Sequence, residues 1–160
     1  MKMTPYILTL VCLFTTAYVQ ANSDNEKTIS IQPNGSQLPM TGLEPYFTGP
    51  VRVEPVFQAK GEAKGAGAMV TFEPGSRTNW HTHPVGQTLI VTSGKGWVAQ
   101  WGAQSQVIEP GDVVHIPANV KHWHGATDKT AMSHLAIQES KNGKVVTWME
   151  AVTEQQYIKK

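Results

Sequence analysis

The sequence predicts an all-β sandwich or barrel with a short helical tail at its C-terminus. Three observations lead to that class. From Val51 onward the chain breaks into ten short apolar or alternating runs, a pattern that suits buried or half-buried strands. Fourteen Gly and ten Pro among 160 residues supply the turns that short strands need. Only Thr153–Lys159 reads as helical. The length suits one domain rather than two.

Along the chain, residues 1–21 stand apart from the fold. Lys2 is the only charge there, and the stretch from Tyr6 to Tyr18 is uncharged and mostly apolar. Val19-Gln20-Ala21 then places small or branched residues where a signal peptidase reads. A secretory signal peptide is expected over 1–21, with the mature chain periplasmic or secreted. The apolar run is too short and too rich in Thr for a membrane span. Cleavage after Ala21 leaves 139 residues, with equal numbers of acidic and basic side chains. It also removes Cys12, the only cysteine, so the mature chain must be held by its core rather than by disulfides.

Residues 22–46 read as a polar lead-in, with a turn at Pro33-Asn34-Gly35. A second turn, Thr48-Gly49-Pro50, precedes the main body. The strand candidates are Val51–Gln58, Gly67–Glu73, Thr78–His83, Gln87–Thr92, Gly96–Trp101, Gln106–Ile108, Asp112–Ile116, His122–Gly125, Met132–Glu139 and Val145–Met149. Gly, Pro or Asn separates nearly all of them, a spacing typical of sandwiches and barrels. A domain over 47–152 and a tail over 153–160 follow.

Composition excludes several function classes. Net charge is +1 with no block of like charge, so the basic stripe of a nucleic-acid binder is missing. No membrane partner is expected once the leader is removed. A mature chain without cysteine has no disulfide framework, no cysteine-based zinc site and no thiol nucleophile.

The six histidines all fall between residues 81 and 134. His81/His83 and His122/His124 are spaced i, i+2, which on a strand sends both imidazoles to one face. Gln87 follows His83 at the start of the next apolar run. Imidazole is the commonest protein ligand for first-row divalent metals. One His-x-His on a surface is a weak signal, but two in one small β domain point to a metal site. Ligands drawn from two distant strand pairs would leave coordination positions open, as catalysis requires.

These residues sit in a recognisable frame. Gly75-x5-His81-x-His83-x3-Gln87-x6-Gly94 resembles the first cupin motif, and Gly111-x5-Pro117-x-Asn119-x2-His122-x3-Ala126 resembles the second. Three positions depart. Gln87 stands where most cupins have Glu, Asn119 where Gly is usual, and Ala126 where Asn is usual. Asn tolerates the left-handed backbone that the second turn asks for. The resemblance implies a cupin-type double-stranded β-helix, a jelly-roll barrel with the metal inside it.

A narrower resemblance rests on Trp80-His-Thr-His-Pro-Val-Gly-Gln-Thr-Leu-Ile-Val-Thr92, Gly111-Asp-Val-Val, Lys121-His-Trp-His-Gly-Ala126 and Met132-Ser-His-Leu-Ala-Ile-Gln138. With Phe47-Thr-Gly-Pro-Val-Arg-Val53, these are similar to the small single-domain cupins that include the bacterial manganese-dependent hydroxynitrile lyases. That resemblance implies His81, His83, Gln87 and His122 as metal ligands. It implies His134 as an acid/base or substrate-contacting residue, with Ala68, Val70, His124 and Gln138 lining the pocket.

The chemistry of the donor set adds to this. A neutral Gln87 leaves a divalent charge unreduced where Glu would offset part of it, which strengthens Lewis acidity. Gln cannot act as a base, so that role falls to His134 or His124 as catalytic residues. His134 shares its strand face with Met132, Ala136 and Gln138. His115 has no role in the resemblance and reads as structural or surface. Trp80 and Trp123 alternate away from the ligand histidines and are expected to pack between sheets and subunits. The cofactor expected is one divalent transition metal per chain, Mn(II) first and Fe(II) next, with Zn(II) or Ni(II) tolerated. The substrate is expected to be a small molecule, and the assembly a homodimer or homotetramer. The function expected is a lyase acting on a cyanohydrin or related compound. The alternatives are a cupin dioxygenase using Fe or Mn and a non-catalytic small-molecule-binding cupin.

Overall fold

The computed structural model describes residues 28–41 and 43–158. The chain divides into two units, Met1–Pro33 and Asn34–Lys160. Of the first, residues 28–33 are described and are exposed. The expected signal peptide over 1–21 lies outside the described residues. All that follows concerns the second unit.

Its elements in chain order are β1 (Phe47–Thr48), β2 (Val51–Phe57), β3 (Gly65–Phe72), β4 (Arg77–Thr78), β5 (His81–Thr82), β6 (Gln87–Gly94), β7 (Gly96–Gln100), β8 (Gln106–Ile108), β9 (Val113–Ile116), β10 (His122–Ala126), β11 (Met132–Glu139), β12 (Thr147–Trp148) and the helix α1 (Glu154–Tyr157). They form two antiparallel sheets. One has five strands in the order β2-β3-β11-β6-β9. The other has seven, running β1-β4-β10-β5-β12, with β7 paired to β10 and β8 to β7. This is the jelly roll that the sequence led us to expect.

Strand alternation decides what faces inward. On β3 that face carries Ala68, Val70 and Phe72, and on β11 it carries Met132, His134, Ala136 and Gln138. The register places His134 opposite both Val70 and Val91, and Gln138 opposite Gln87. Phe72 and Leu89 are fully buried in this inner core with Val91, Met132 and Ala126. Burying each large apolar side chain contributes about 1.5–3 kcal/mol, so this face outweighs any single strand propensity.

A second cluster lies on the opposite side of the seven-stranded sheet. Trp80, Trp97, Ala99 and Trp123 pack there with Val152 and Tyr157, and Met149 flanks them. Strand parity correctly turned Trp80 and Trp123 away from the metal ligands. What covers them differs from the expectation of packing between sheets and subunits, because the chain's own C-terminal segment lies across them. Arg77 anchors that segment by donating from Nη2 to the Val152 carbonyl at 3.0 Å, and its guanidinium stacks 4.4 Å from the Tyr157 ring centroid. The Tyr157 hydroxyl donates to the Ala126 carbonyl at 3.0 Å. The helix itself is one turn, started by a capping box between Thr153 and Gln156.

Two further differences have local causes. The run Thr78–His83 is split into β4 and β5, because Asn79 and Trp80 turn to other partners. Asn79 donates from its backbone to Tyr46 and from its side chain to Pro45. Trp80 exchanges backbone bonds with Met149 and Glu150. The last part of the polar lead-in also joins the barrel. Met40 donates its N–H to Val53, and Leu43 packs against the inner core.

Candidate metal centre

His81 on β5 and His122 on β10 are directly paired across the seven-stranded sheet. His83 lies two residues beyond His81, and Gln87 opens β6 in the other sheet. The turn that carries the chain from His83 to Gln87 requires Gly86. Its φ is +95°, and a Cβ there would stand 2.6 Å from the Ile116 carbonyl oxygen. The neighbouring loop locks onto the same turn, since the His83 carbonyl accepts from both Gly86 and Asn119. Asn119 has φ 62°, the left-handed geometry expected of it.

The three imidazoles are oriented alike. His81 donates Nδ1–H to the Asn79 carbonyl at 2.9 Å, His83 to Val145 at 2.8 Å and His122 to Val120 at 2.8 Å. Carbonyls only accept, so each ring keeps its proton on Nδ1 and presents a bare Nε2, and the carbonyl bond fixes the ring's orientation as it does for histidine ligands generally. The ligand atoms of the three all lie within 4.8 Å of one another. Burial pushes His122 down to about 4 and lowers His83. His81 falls well below its usual value, through burial first and then the neighbouring His122. All three are therefore neutral at pH 7, as ligation demands.

The polar bookkeeping fits a cation. Gln87 Oε1 lies 3.2 Å from His122 Nε2, and with the His122 proton on Nδ1 both atoms are acceptors. His83 Nε2 is buried with no hydrogen-bond partner. Buried acceptors that face one another without a donor are costly, and a divalent ion held by His81, His83, Gln87 and His122 satisfies them together. The set of three nitrogens and one neutral oxygen suits a first-row divalent metal.

His124 borders that set, its ring centroid 5.3 Å from that of His81, and links it to His134. His134 Nε2 and His124 Nδ1 are 3.1 Å apart in a fully buried hydrogen bond. Burial pushes His134 down to about 4 and holds His124 well below its usual value, with the neighbouring His134 adding to the latter. His124 lines the cavity, whereas His134 is fully buried and does not. Strand parity placed His134 on the right face, but His124 stands between it and the open space. The cavity has a volume of about 280 Å³. Ala68, Val70, Gln138, His81, His83 and Gln87 also line it. His115 is exposed on the outer face of β9, with Nδ1 3.3 Å from Thr88 Oγ1.

Sequence reasoning did not single out the aromatic mouth. Tyr46, Phe47 and Trp148 line the cavity, with Met40, Leu43 and Val146 beside them. The Tyr46 and Trp148 rings stack at 5.0 Å, and Trp148 lies 4.8 Å from the His81 ring. Phe47 lay in a stretch already matched to the first strand, so it was within reach. Trp148 is far from the histidines in sequence, and only the pairing of β12 with β5 brings it there.

Comparison with known proteins gives a consistent picture. The pattern of the cupin domain matches residues 68–138. An (R)-mandelonitrile lyase from Granulicella tundricola is 57% identical over 129 residues, 81% of this chain and 98% of that one. The crystal structure of a cupin-like protein from Thermotoga maritima is 40% identical, with a TM-score of 0.69 over 81% of this chain and 95% of that one. A polyketide cyclase from Streptomyces resistomycificus shares the fold at 14% identity, with a TM-score of 0.62 over 81% of this chain and 91% of that one.

Proposed function

The chain belongs to the cupin family, and on that premise we propose that it is an exported metal-dependent carbon–carbon lyase of the hydroxynitrile lyase type, splitting a cyanohydrin into an aldehyde and hydrogen cyanide. One observation carries the reading. His81, His83 and Gln87 line an apolar cavity with His122 close behind them, and His124, which also borders that cavity, holds a buried Nε2 with no hydrogen-bond partner and bonds His134 in a second imidazole pair. Similarity to the mandelonitrile lyase supports it.

A divalent ion held by His81, His83, Gln87 and His122 would supply Lewis acidity, undiminished by any ligand carboxylate. Mn(II) is the proposed ion. The apolar walls formed by Ala68, Val70 and the aromatic mouth bind the organic part of the substrate and exclude water. Gln87 cannot take a proton, so His124 does. With its Nδ1–H donated to His134 Nε2, His124 keeps a lone pair on Nε2 for the cyanohydrin hydroxyl proton. The O–H electrons become the carbonyl π bond, and the C–C bond breaks with its pair on cyanide. His124 then returns the proton to give hydrogen cyanide. His134 shares the transient positive charge through the hydrogen bond.

The test is cyanide release from mandelonitrile under argon, with stoichiometric Mn(II) confirmed. Cleavage without oxygen is expected. His124→Ala and His134→Ala should each retain metal and fold and lose about 10²–10⁴-fold in rate, the usual share of general acid–base catalysis. Oxygen consumption on a flavonol or diketone with no cyanide release would overturn the lyase reading in favour of a dioxygenase. Ligand binding with neither reaction would favour a binding cupin. Export, and assembly as a homodimer or homotetramer, are part of the same proposal. The leader-like 1–21 segment and the exposed sheet edges support them.

A further inference from the structure

Resting on the reading of His81, His83, Gln87 and His122 as a metal site, we infer that Gln138 is a positioning residue that decides which end of the Gln87 amide meets the metal. A carboxylate ligand offers oxygen at either end. An amide offers oxygen at one end only, and its other end, an NH2, cannot ligate. The two ends are alike in size, so shape alone does not choose between them. Something must hold the oxygen inward.

The structure assigns that task to the facing strand. Gln138 on β11 stands directly opposite Gln87 on β6, and both side chains point into the cavity. Gln87 Nε2 donates to Gln138 Oε1 at 3.4 Å, while Gln87 Oε1 lies 3.2 Å from His122 Nε2. The partner of Gln87 on its other flank is Ile116, whose side chain accepts nothing. Without the Gln138 oxygen, the Gln87 NH2 finds its best acceptor by turning round to the bare Nε2 of His122. That orientation satisfies the protein and opposes the metal. Gln138 therefore acts through Gln87 and needs no contact with the ion.

The experiment is titration of metal-free protein with Mn(II), read as free Mn(II) by paramagnetic resonance. Gln138→Leu should weaken binding by about threefold to tenfold, the worth of one hydrogen bond. Gln138→Met, closer in length, should do the same and guards against a folding defect in the first variant. In the Gln87→Glu background, where both ends of the ligand are oxygen, Gln138→Leu should change the dissociation constant less than about twofold. Unchanged binding in both single variants overturns the inference. Equal weakening in both backgrounds also overturns it, because it would show a general effect on the cavity. Absence of Mn(II) binding by the unaltered chain overturns the metal site itself.

Discussion

Each of the three clustered histidines spends one nitrogen on a main-chain carbonyl and keeps the other for the centre, so removing a ring removes a ligand without leaving a buried donor unpaired. His81→Ala should lose most of the bound metal while retaining the fold, checked by elemental analysis against the unaltered protein. Full occupancy in that variant would contradict the ligand assignment. Protons compete for the same Nε2 atoms, so bound metal should decline as pH falls below about 5, measured by dialysis across a pH series. Retention at pH 4 would point to carboxylate ligands instead. Much of this was legible residue by residue. The i, i+2 spacing of His81/His83 and of His122/His124 states which side chains share a face. It is silent on depth, and so His134 could be placed on the inner face but not behind His124. Depth depends on which side chain the opposite sheet inserts, and that is a long-range fact.

Among the elements, the C-terminal segment adds the most beyond the predicted barrel. It was legible as a short helical tail, but not as the cover of a second core. Two of the three indoles it covers, Trp80 and Trp123, were assigned to their correct side of the sheet by alternation, yet nothing local says what lies against them. Arg77 carries the connection. It is nearly fully buried and bonds Val152 and Glu154 as well as stacking on Tyr157. Tyr157→Phe removes one buried hydrogen bond to Ala126 and should cost about 1 kcal/mol. Tyr157→Ala also opens a cavity beside Trp97 and Trp123 and should cost about 3–5 kcal/mol. Urea unfolding followed by tryptophan fluorescence reads both. Equal, negligible losses would show that the tail contributes nothing to the sheet it covers.

For the molecule as a whole, five buried histidines are held below their ordinary values in the metal-free chain. The unfolded chain binds protons near pH 6.5, and the folded chain resists them to about 4 at His122 and His134. Below pH 6.5 the unfolded state holds more protons, so stability must fall as pH falls through that window. Metal-free protein should therefore lose urea stability between pH 7 and pH 5, and Mn(II) should restore part of it at the upper end. A flat profile for the metal-free form would contradict the buried, neutral state of these rings. The jelly-roll class was legible at this scale because two motifs and short alternating runs agree. The joining of Met40 and Leu43 to the barrel was not, since a polar stretch gives no periodic signal. The covering tail also bears on how the chain is made. A ribosome releases Val152 to Tyr157 after every strand of the barrel, so the outer indoles stay wet until that segment has followed the strands out. A message stopped just before Val152 would yield a protein with every imidazole present and one flank of its sheet stripped bare.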